Sequence, residues 1–211
     1  MINVLIADSH PIILEGMRNA LEADPEIHVV AEAGDGRETV RLCCEKKPDV
    51  AIADVAMPVL DGMDITRELA RKCPKTRVLV LSPYASEEHG IRLLRNGAFG
   101  FLTKDTSVGE LVGAVHKVAG GETYVSQAIL ERIGMRLRDS HSPGSIEELT
   151  DRQFQVLTAL AEGKKTAEIA AELNLSPSTV QGYRYKLMKK LNLKTSSALV
   201  RYAIEKGLIS V

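Results

Sequence analysis

Apolar residues in the first 120 positions of the chain come in short runs, with amphipathic stretches between them. Val4-Leu5-Ile6-Ala7, Val50-Ala51-Ile52-Ala53, Val78-Leu79-Val80-Leu81 and Ala98-Phe99-Gly100-Phe101-Leu102 are too short and too uniformly apolar for surface helices. They predict strands buried on both faces. The pattern places strands near 2–7, 27–32, 49–53, 77–82 and 98–102, and helices near 11–23, 35–46, 63–72, 87–96 and 107–118. Five strands alternating with five helices imply a doubly wound five-stranded parallel sheet with helices on both faces. Punctuation agrees: Ser86 stands ahead of Glu87 and Glu88, and Ser107 to Glu110 reads as a capping box. Gly62 and Gly97 fall where turns or helix stops call for positive φ.

The pattern changes after Gly120-Gly121. A helical stretch near 127–138 is followed by Asp139-Ser140-His141-Ser142-Pro143-Gly144-Ser145, a run of helix breakers. From Leu149 only helical periods remain, near 151–162, 166–173, 177–191 and 196–206, the first opened by the capping box Thr150 to Gln153. The predicted organisation is an α/β domain over 1–119, a linker with a helix over 120–146, and a small all-α domain over 147–211.

Charge follows the same division. The net charge of −1 conceals a segment from Leu149 with ten basic and five acidic residues, leaving −6 on the rest. A basic rear half suits a polyanionic partner. No apolar run approaches the ~18 residues of a membrane span, and Met1-Ile2-Asn3 has no basic leader; both point to the cytoplasm. Cys43, Cys44 and Cys73 lack metal-ligand spacing and read as small buried hydrophobes.

Four of the five predicted strand ends carry a polar group. Asp8 follows the first, Asp54 the third, Ser82 the fourth, and Lys104 comes just after Thr103 of the fifth. In an open parallel sheet these ends line one crevice. Two carboxylates, a hydroxyl and an ammonium there suit a divalent cation and a phosphoryl group. In the rear half, helices 166–173 and 177–191 are joined by Asn174-Leu175-Ser176, with Ser176 as N-cap and Pro177 at the first helical position. This tight pair with a long basic second helix is a helix-turn-helix pattern. Val180, Tyr183, Leu187 and Leu191 recur at helical spacing as the buried face, while Gln181, Arg184, Tyr185, Lys186, Lys189 and Lys190 occupy the other. Gln181 suits an adenine edge, Arg184 a guanine edge or a phosphate, and Lys189 and Lys190 the backbone. Gly182 costs the helix about 1 kcal/mol relative to Ala, which fits either a close approach to a groove floor or a tight packing contact.

Leu149-Thr150-Asp151-Arg152-Gln153-Phe154-Gln155-Val156-Leu157, Ala161-Glu162-Gly163, Glu168-Ile169-Ala170, Leu175-Ser176, Thr179-Val180 and Lys190-Leu191 resemble the LuxR-type DNA-binding domain. With the front half, the whole chain is similar to response regulators of the NarL/FixJ family. That resemblance implies phosphorylation at Asp54, a magnesium site of Asp8, Asp54 and the Ala56 carbonyl, phosphoryl contacts from Ser82 and Lys104, and an aromatic switch at Phe101. It further implies a DNA-reading surface of Thr179, Gln181, Gly182, Arg184, Tyr185 and Lys189, a sensor histidine kinase as partner, and a homodimer on DNA. The last helix, with Ala198, Leu199, Tyr202 and Ala203, would supply the dimer contact. The chain departs from the family in four places. Ser9 stands where a second acid is usual, which takes one hard ligand from the metal and predicts weaker magnesium binding. Pro83 follows the hydroxyl where a small residue is usual, and Gln181 and Tyr183 replace a common lysine and histidine. His10 reads as a loop residue. Two alternatives follow: a phosphorylation-independent regulator, and a phosphohydrolase of the haloacid-dehalogenase kind with Asp54 as nucleophile. The second lacks the acid those enzymes place two residues on, since Ala56 stands there.

Overall fold

The computed structural model describes residues 1–82, 87–126, 130, 146, 149–173 and 175–209. The chain divides into two compact units. The first holds a six-stranded parallel sheet and its flanking helices; the second holds the helices from Asp151 onward.

Along residues 2–125 the order is β1 (Ile2–Ala7), α1 (Pro11–Glu22), β2 (Ile27–Ala33), α2 (Gly36–Lys46), β3 (Val50–Asp54), α3 (Gly62–Lys72), β4 (Arg77–Ser82), α4 (Glu87–Arg95), β5 (Gly100–Thr103), α5 (Val108–Ala119) and β6 (Tyr124–Val125). The strands lie β2-β1-β3-β4-β5-β6, all parallel. The expected five-stranded sheet therefore gains a sixth strand. Two residues are too few to show a period, but Tyr124 N bonds to Phe99 O at 2.8 Å and registers the segment against β5.

Successive strand residues point to opposite faces. Val4, Ile6, Val50, Ile52, Leu79 and Leu81 pack with Leu14, Met17 and Leu21 of α1 and Leu111, Ala114, Val115 and Val118 of α5. The intervening Leu5, Ala51, Ala53, Val78 and Val80 are just as buried, as are Met63, Ile65 and Leu69 of α3. This two-sided burial is what made the strands read as uninterrupted apolar runs. His116 Nε2 of α5 meets Asp24 Oδ2 at 2.9 Å and so ties α5 to the connection between α1 and β2.

Several local expectations are modified. Ser107 caps α5 by accepting from Glu110 N at 3.2 Å. The Glu110 carboxylate does not close a capping box; it accepts from Thr106 Oγ1 at 2.6 Å and Tyr124 Oη at 3.0 Å. Gly97 has φ 101°, as expected, whereas Gly62 is absent from the positive-φ residues. Gly62 is required by space instead: a Cβ there would lie 2.8 Å from Val55 Cα. Beyond Asp54 the chain turns sharply. Leu60 N donates to Pro58 O at 2.8 Å across Val59, whose φ is 72°, a strained three-residue turn for a β-branched side chain. Gly36 N donates to the same Pro58 oxygen at 3.0 Å, and a Cβ on Gly36 would collide with the Leu60 carbonyl oxygen. Of the cysteines only Cys43 is buried; Cys44 is exposed and Cys73 half-buried, because α2 presents its 40 and 43 positions inward and turns 44 out.

The second unit comprises α6 (Asp151–Ala161), α7 (Thr166–Glu172), α8 (Pro177–Lys190) and α9 (Ser196–Glu205). Phe154, Leu157, Ile169, Val180, Leu187, Leu199 and Ala203 are among its buried side chains. The Thr150–Gln153 capping box forms in both directions. Ser176 caps α8 by accepting from Thr179 N at 3.1 Å. No described helix is long and apolar enough to cross a membrane. Ser86, Pro83, the helix expected over 127–138 except Leu130, the breaker run 139–145 and Asn174 lie outside the described residues.

Candidate functional site

Sheet order reverses between β1 and β3, and the crevice of a doubly wound sheet opens at the carboxyl ends of such strands. Asp54 ends β3, and Asp8 comes directly after β1; they are 3% and 0% exposed. Lys104 N bonds to Ser82 O at 2.8 Å, which brings the Lys104 stem beside the end of β4. Its ammonium then reaches both acids, 2.6 Å from Asp8 Oδ2 and 2.9 Å from Asp54 Oδ2. Ser82 is fully buried at the adjoining strand end. Asp8, Asp54, Ser82 and Lys104 thus converge as their strand-end positions predict. Phe101, two residues before Thr103, is fully buried. Ala56 follows on the exposed turn after β3.

Burial opposes ionisation of Asp8, but hydrogen bonds from Lys104 and His10 outweigh it and hold the carboxyl below its ordinary range. Lys104 is likewise opposed by burial, and its bonds to Asp8 and Asp54 push it above its ordinary value. Both therefore stay charged at neutral pH.

One oxygen is different. Asp54 Oδ1 is buried and has no hydrogen-bond partner among the described residues. A buried, unpartnered carboxylate oxygen is costly unless something binds it. An oxygen-seeking cation or the phosphorus of a donor would suit it, and the hard donors nearby, Asp8 and the Ala56 carbonyl, fit magnesium chemically. Ser9 adds only a neutral hydroxyl, 3.3 Å from His10 Nδ1. His10 is more than the loop residue that its sequence position suggested: both its backbone N and its Nδ1 lie 2.9 Å from Asp8 Oδ1. The available signal was the two-residue separation from Asp8 just ahead of Pro11, where the chain must turn into α1.

On the second unit, α8 exposes Thr179, Gln181, Gly182, Tyr185, Lys186, Lys189 and Lys190 along one side. Val180, Leu187 and Leu191 are buried and Tyr183 half-buried, which is the predicted division of the helix. Among the described residues nothing lies within 4 Å of a Cβ built on Gly182, so the packing explanation for this glycine is not supported. Arg184 is half-buried and donates from Nη2 to Ser196 Oγ at 2.7 Å. Ser196 was not singled out from sequence, since the pairing spans 12 residues with nothing local to announce it. The last helix departs from expectation: Leu199 and Ala203 face their own core at 2% and 0% exposure. A ten-residue helix has room for one inward stripe at i and i+4, and these two residues fill it. Arg201 and Ile204 are left on the outer side, with Ala198, Val200 and Tyr202 half-buried.

Comparison with known proteins agrees with both halves. Residues 4–116 match the response regulator receiver domain, and residues 147–203 match the bacterial regulatory proteins of the luxR family. The response regulator UvrY of Escherichia coli is 32% identical over 209 residues, covering 99% of this chain and 96% of UvrY. RcsB of Salmonella typhimurium, solved in a study of its conformational dynamism for DNA interaction, superposes with a TM-score of 0.82 at 25% identity, over 98% of each chain. A structure of RcsB from Salmonella enterica serovar Typhimurium bound to promoter rprA in the presence of phosphomimetic BeF3− gives 0.75 at 26% identity, over 95% of this chain and 97% of that one.

Proposed function

Because the chain belongs to the response regulators that join a receiver domain to a LuxR-type helix-turn-helix, we propose that it is a transcription regulator controlled through Asp54, with a weakened dependence on magnesium. Residues 1–119 form the receiver, 120–146 the linker and 147–211 the DNA-binding domain in this reading. It rests above all on the unpartnered, buried Asp54 Oδ1 beside Lys104. That oxygen attacks the phosphorus of a phosphodonor; the P–O bond forms as the donor's leaving group departs with the electron pair of the bond that breaks. Lys104 pairs with the transferred phosphoryl group, and the Ser82 hydroxyl donates to one of its oxygens. Phe101, already buried, is the aromatic that senses the change. Magnesium, held by Asp54, Asp8 and the Ala56 carbonyl, would offset the charge of the incoming group. With Ser9 in place of an acid, the pocket with Lys104 carries −1 rather than −2, so the cation is held less tightly.

The natural donor is a sensor histidine kinase. An apolar cleft of about 270 Å³ between α1 and α5, lined by Ile13, Gly16, Met17, Val108 and Leu111, reaches Lys104. Ile12 and Val108 beside it are 79% and 58% exposed, which suits a helical partner. The output surface is Thr179, Gln181, Gly182, Arg184, Tyr185 and Lys189 in the major groove of duplex DNA, with two chains pairing through the outer side of α9.

The test is incubation of the full chain with acetyl phosphate and magnesium, read by intact mass. One phosphoryl adduct that disappears in Asp54→Asn is expected, formed slowly in the native chain and faster in Ser9→Asp. An adduct that persists in Asp54→Asn, or none in either chain, overturns phosphorylation at Asp54. In that second case DNA binding indifferent to any phosphodonor would favour the phosphorylation-independent reading, for which Ser9 is the motivating observation.

A further inference from the structure

We propose that His10 is a positioning residue that keeps Asp8 engaged within the protein, so that a divalent cation reaches Asp8 Oδ1 only by displacing a hydrogen bond already made. The inference rests on the reading of this pocket as a cation-assisted phosphoacceptor. Asp8 Oδ1 accepts from His10 N and lies 2.9 Å from His10 Nδ1, and Asp8 Oδ2 faces the Lys104 ammonium at 2.6 Å. The same ammonium holds Asp54 Oδ2 at 2.9 Å. Three of the four carboxylate oxygens therefore have cationic or N–H donors, and Asp54 Oδ1 is the one without.

Charge and donor chemistry set the direction of the effect. A buried carboxylate is acceptor-only, so the imidazole must carry its proton on Nδ1 to bond with it. A nitrogen that carries that proton has no lone pair for a metal, so in this arrangement Nδ1 of His10 competes with a cation for Asp8 Oδ1 and does not ligate it. Were position 9 acidic, its oxygens would stand outside this lattice and could bind the cation without disturbing it. Ser9 provides no such anion, so the occupancy of Asp8 now limits how much carboxylate a cation can gather. His10 is also well placed to be tested. Its side chain is 65% exposed over a fully buried Asp8, and α1 is capped at His10 without any side-chain hydrogen bond. Removing the imidazole leaves the bond from His10 N to Oδ1, so the carboxylate keeps its orientation and loses only its competitor.

Manganese binding to the full chain, read by electron paramagnetic resonance, and magnesium by competition against it, test the proposal at one pH. His10→Ala should tighten both cations by about threefold to tenfold, the net scale of one ordinary hydrogen bond. His10→Asn places an amide donor where Nδ1 stands and should return the affinity to that of the native chain. Ser9→Asp should tighten binding with His10 in place. Unchanged affinity in His10→Ala overturns the proposal, and weaker affinity assigns His10 to the cation's side. A gain in His10→Asn equal to that in His10→Ala would mean bulk alone matters, which also overturns it. Thermal melts of each variant confirm that the fold is intact. The readout is separate from phosphorylation: absence of an Asp54 adduct defeats the phosphoacceptor reading, whereas a cation affinity that ignores His10 defeats this one alone.

Discussion

Replacing Gly182 by Ala should make the second unit more stable and its grip on DNA worse. The glycine lies inside α8, where it costs about 1 kcal/mol relative to Ala through backbone freedom. A Cβ built there meets nothing within 4 Å, so the gain comes without a steric charge against it. For a unit of some 60 residues, 1 kcal/mol corresponds to a rise of about 4–8 °C in the second calorimetric transition. The added methyl stands on the exposed strip with Gln181 and Tyr185. If this strip enters a groove closely enough to need a glycine, the methyl costs about 1–3 kcal/mol, as overfilling a packed contact does. Affinity should then fall on the order of tenfold to a hundredfold. The assay is fluorescence anisotropy at fixed salt with a duplex selected from a random pool by the native chain, beside calorimetry of the same samples. A stabilised variant with unchanged affinity would refute the placement of Gly182 against DNA. A destabilised one would refute the open surroundings on which the argument depends.

Arg184→Ala should weaken DNA binding by about 1–3 kcal/mol if the guanidinium reads a base edge, and Ser196→Ala, which frees that guanidinium, should alter affinity far less; equal losses in the two anisotropy titrations would make the pair a structural brace. Burial, and secondarily the neighbouring thiols Cys73 and Cys44, push the Cys43 thiol up to about 12. Because the thiolate is the reactive form, iodoacetamide at pH 8 should spare Cys43 in the native chain while labelling the exposed Cys44, and peptide mapping that finds both labelled at one rate would contradict the burial of Cys43.

Most of the fold was legible because strands buried on both faces write themselves as unbroken apolar runs, and because helix starts carry their caps in the sequence. β6 escaped, since Tyr124–Val125 is defined by its pairing with β5 and not by any pattern of its own. Gly62 was read for the wrong property. A glycine needed for φ and one needed for clearance look alike until the neighbour, here Val55, is in place. The converging Asp8, Asp54, Ser82 and Lys104 could be foreseen because a parallel sheet puts every strand end on one edge. The engagement of Asp8 by His10 could not, as it depends on the path of a short turn. On α9 the apolar letters do not say which of them face inward. Leu199 and Ala203 are taken by the domain's own core, a choice made by the packing of helices distant in sequence.

The turn after Asp54 has a mechanical meaning. Gly36 N and Leu60 N both seize the Pro58 oxygen, and the bare Cα of Gly36 lets the Leu60 carbonyl lie against the start of α2. This side of the pocket behaves as an anvil: a push delivered at Asp54 meets backbone that is pinned to a helix and already bent through Val59. In the proposed reading, displacement would pass to the opposite rim, where Lys104 holds both acids by its ammonium and Ser82 by its backbone N–H. In that reading, the direction in which a signal leaves Asp54 would thereby be set by a residue with no side chain, in a helix that takes no part in the chemistry.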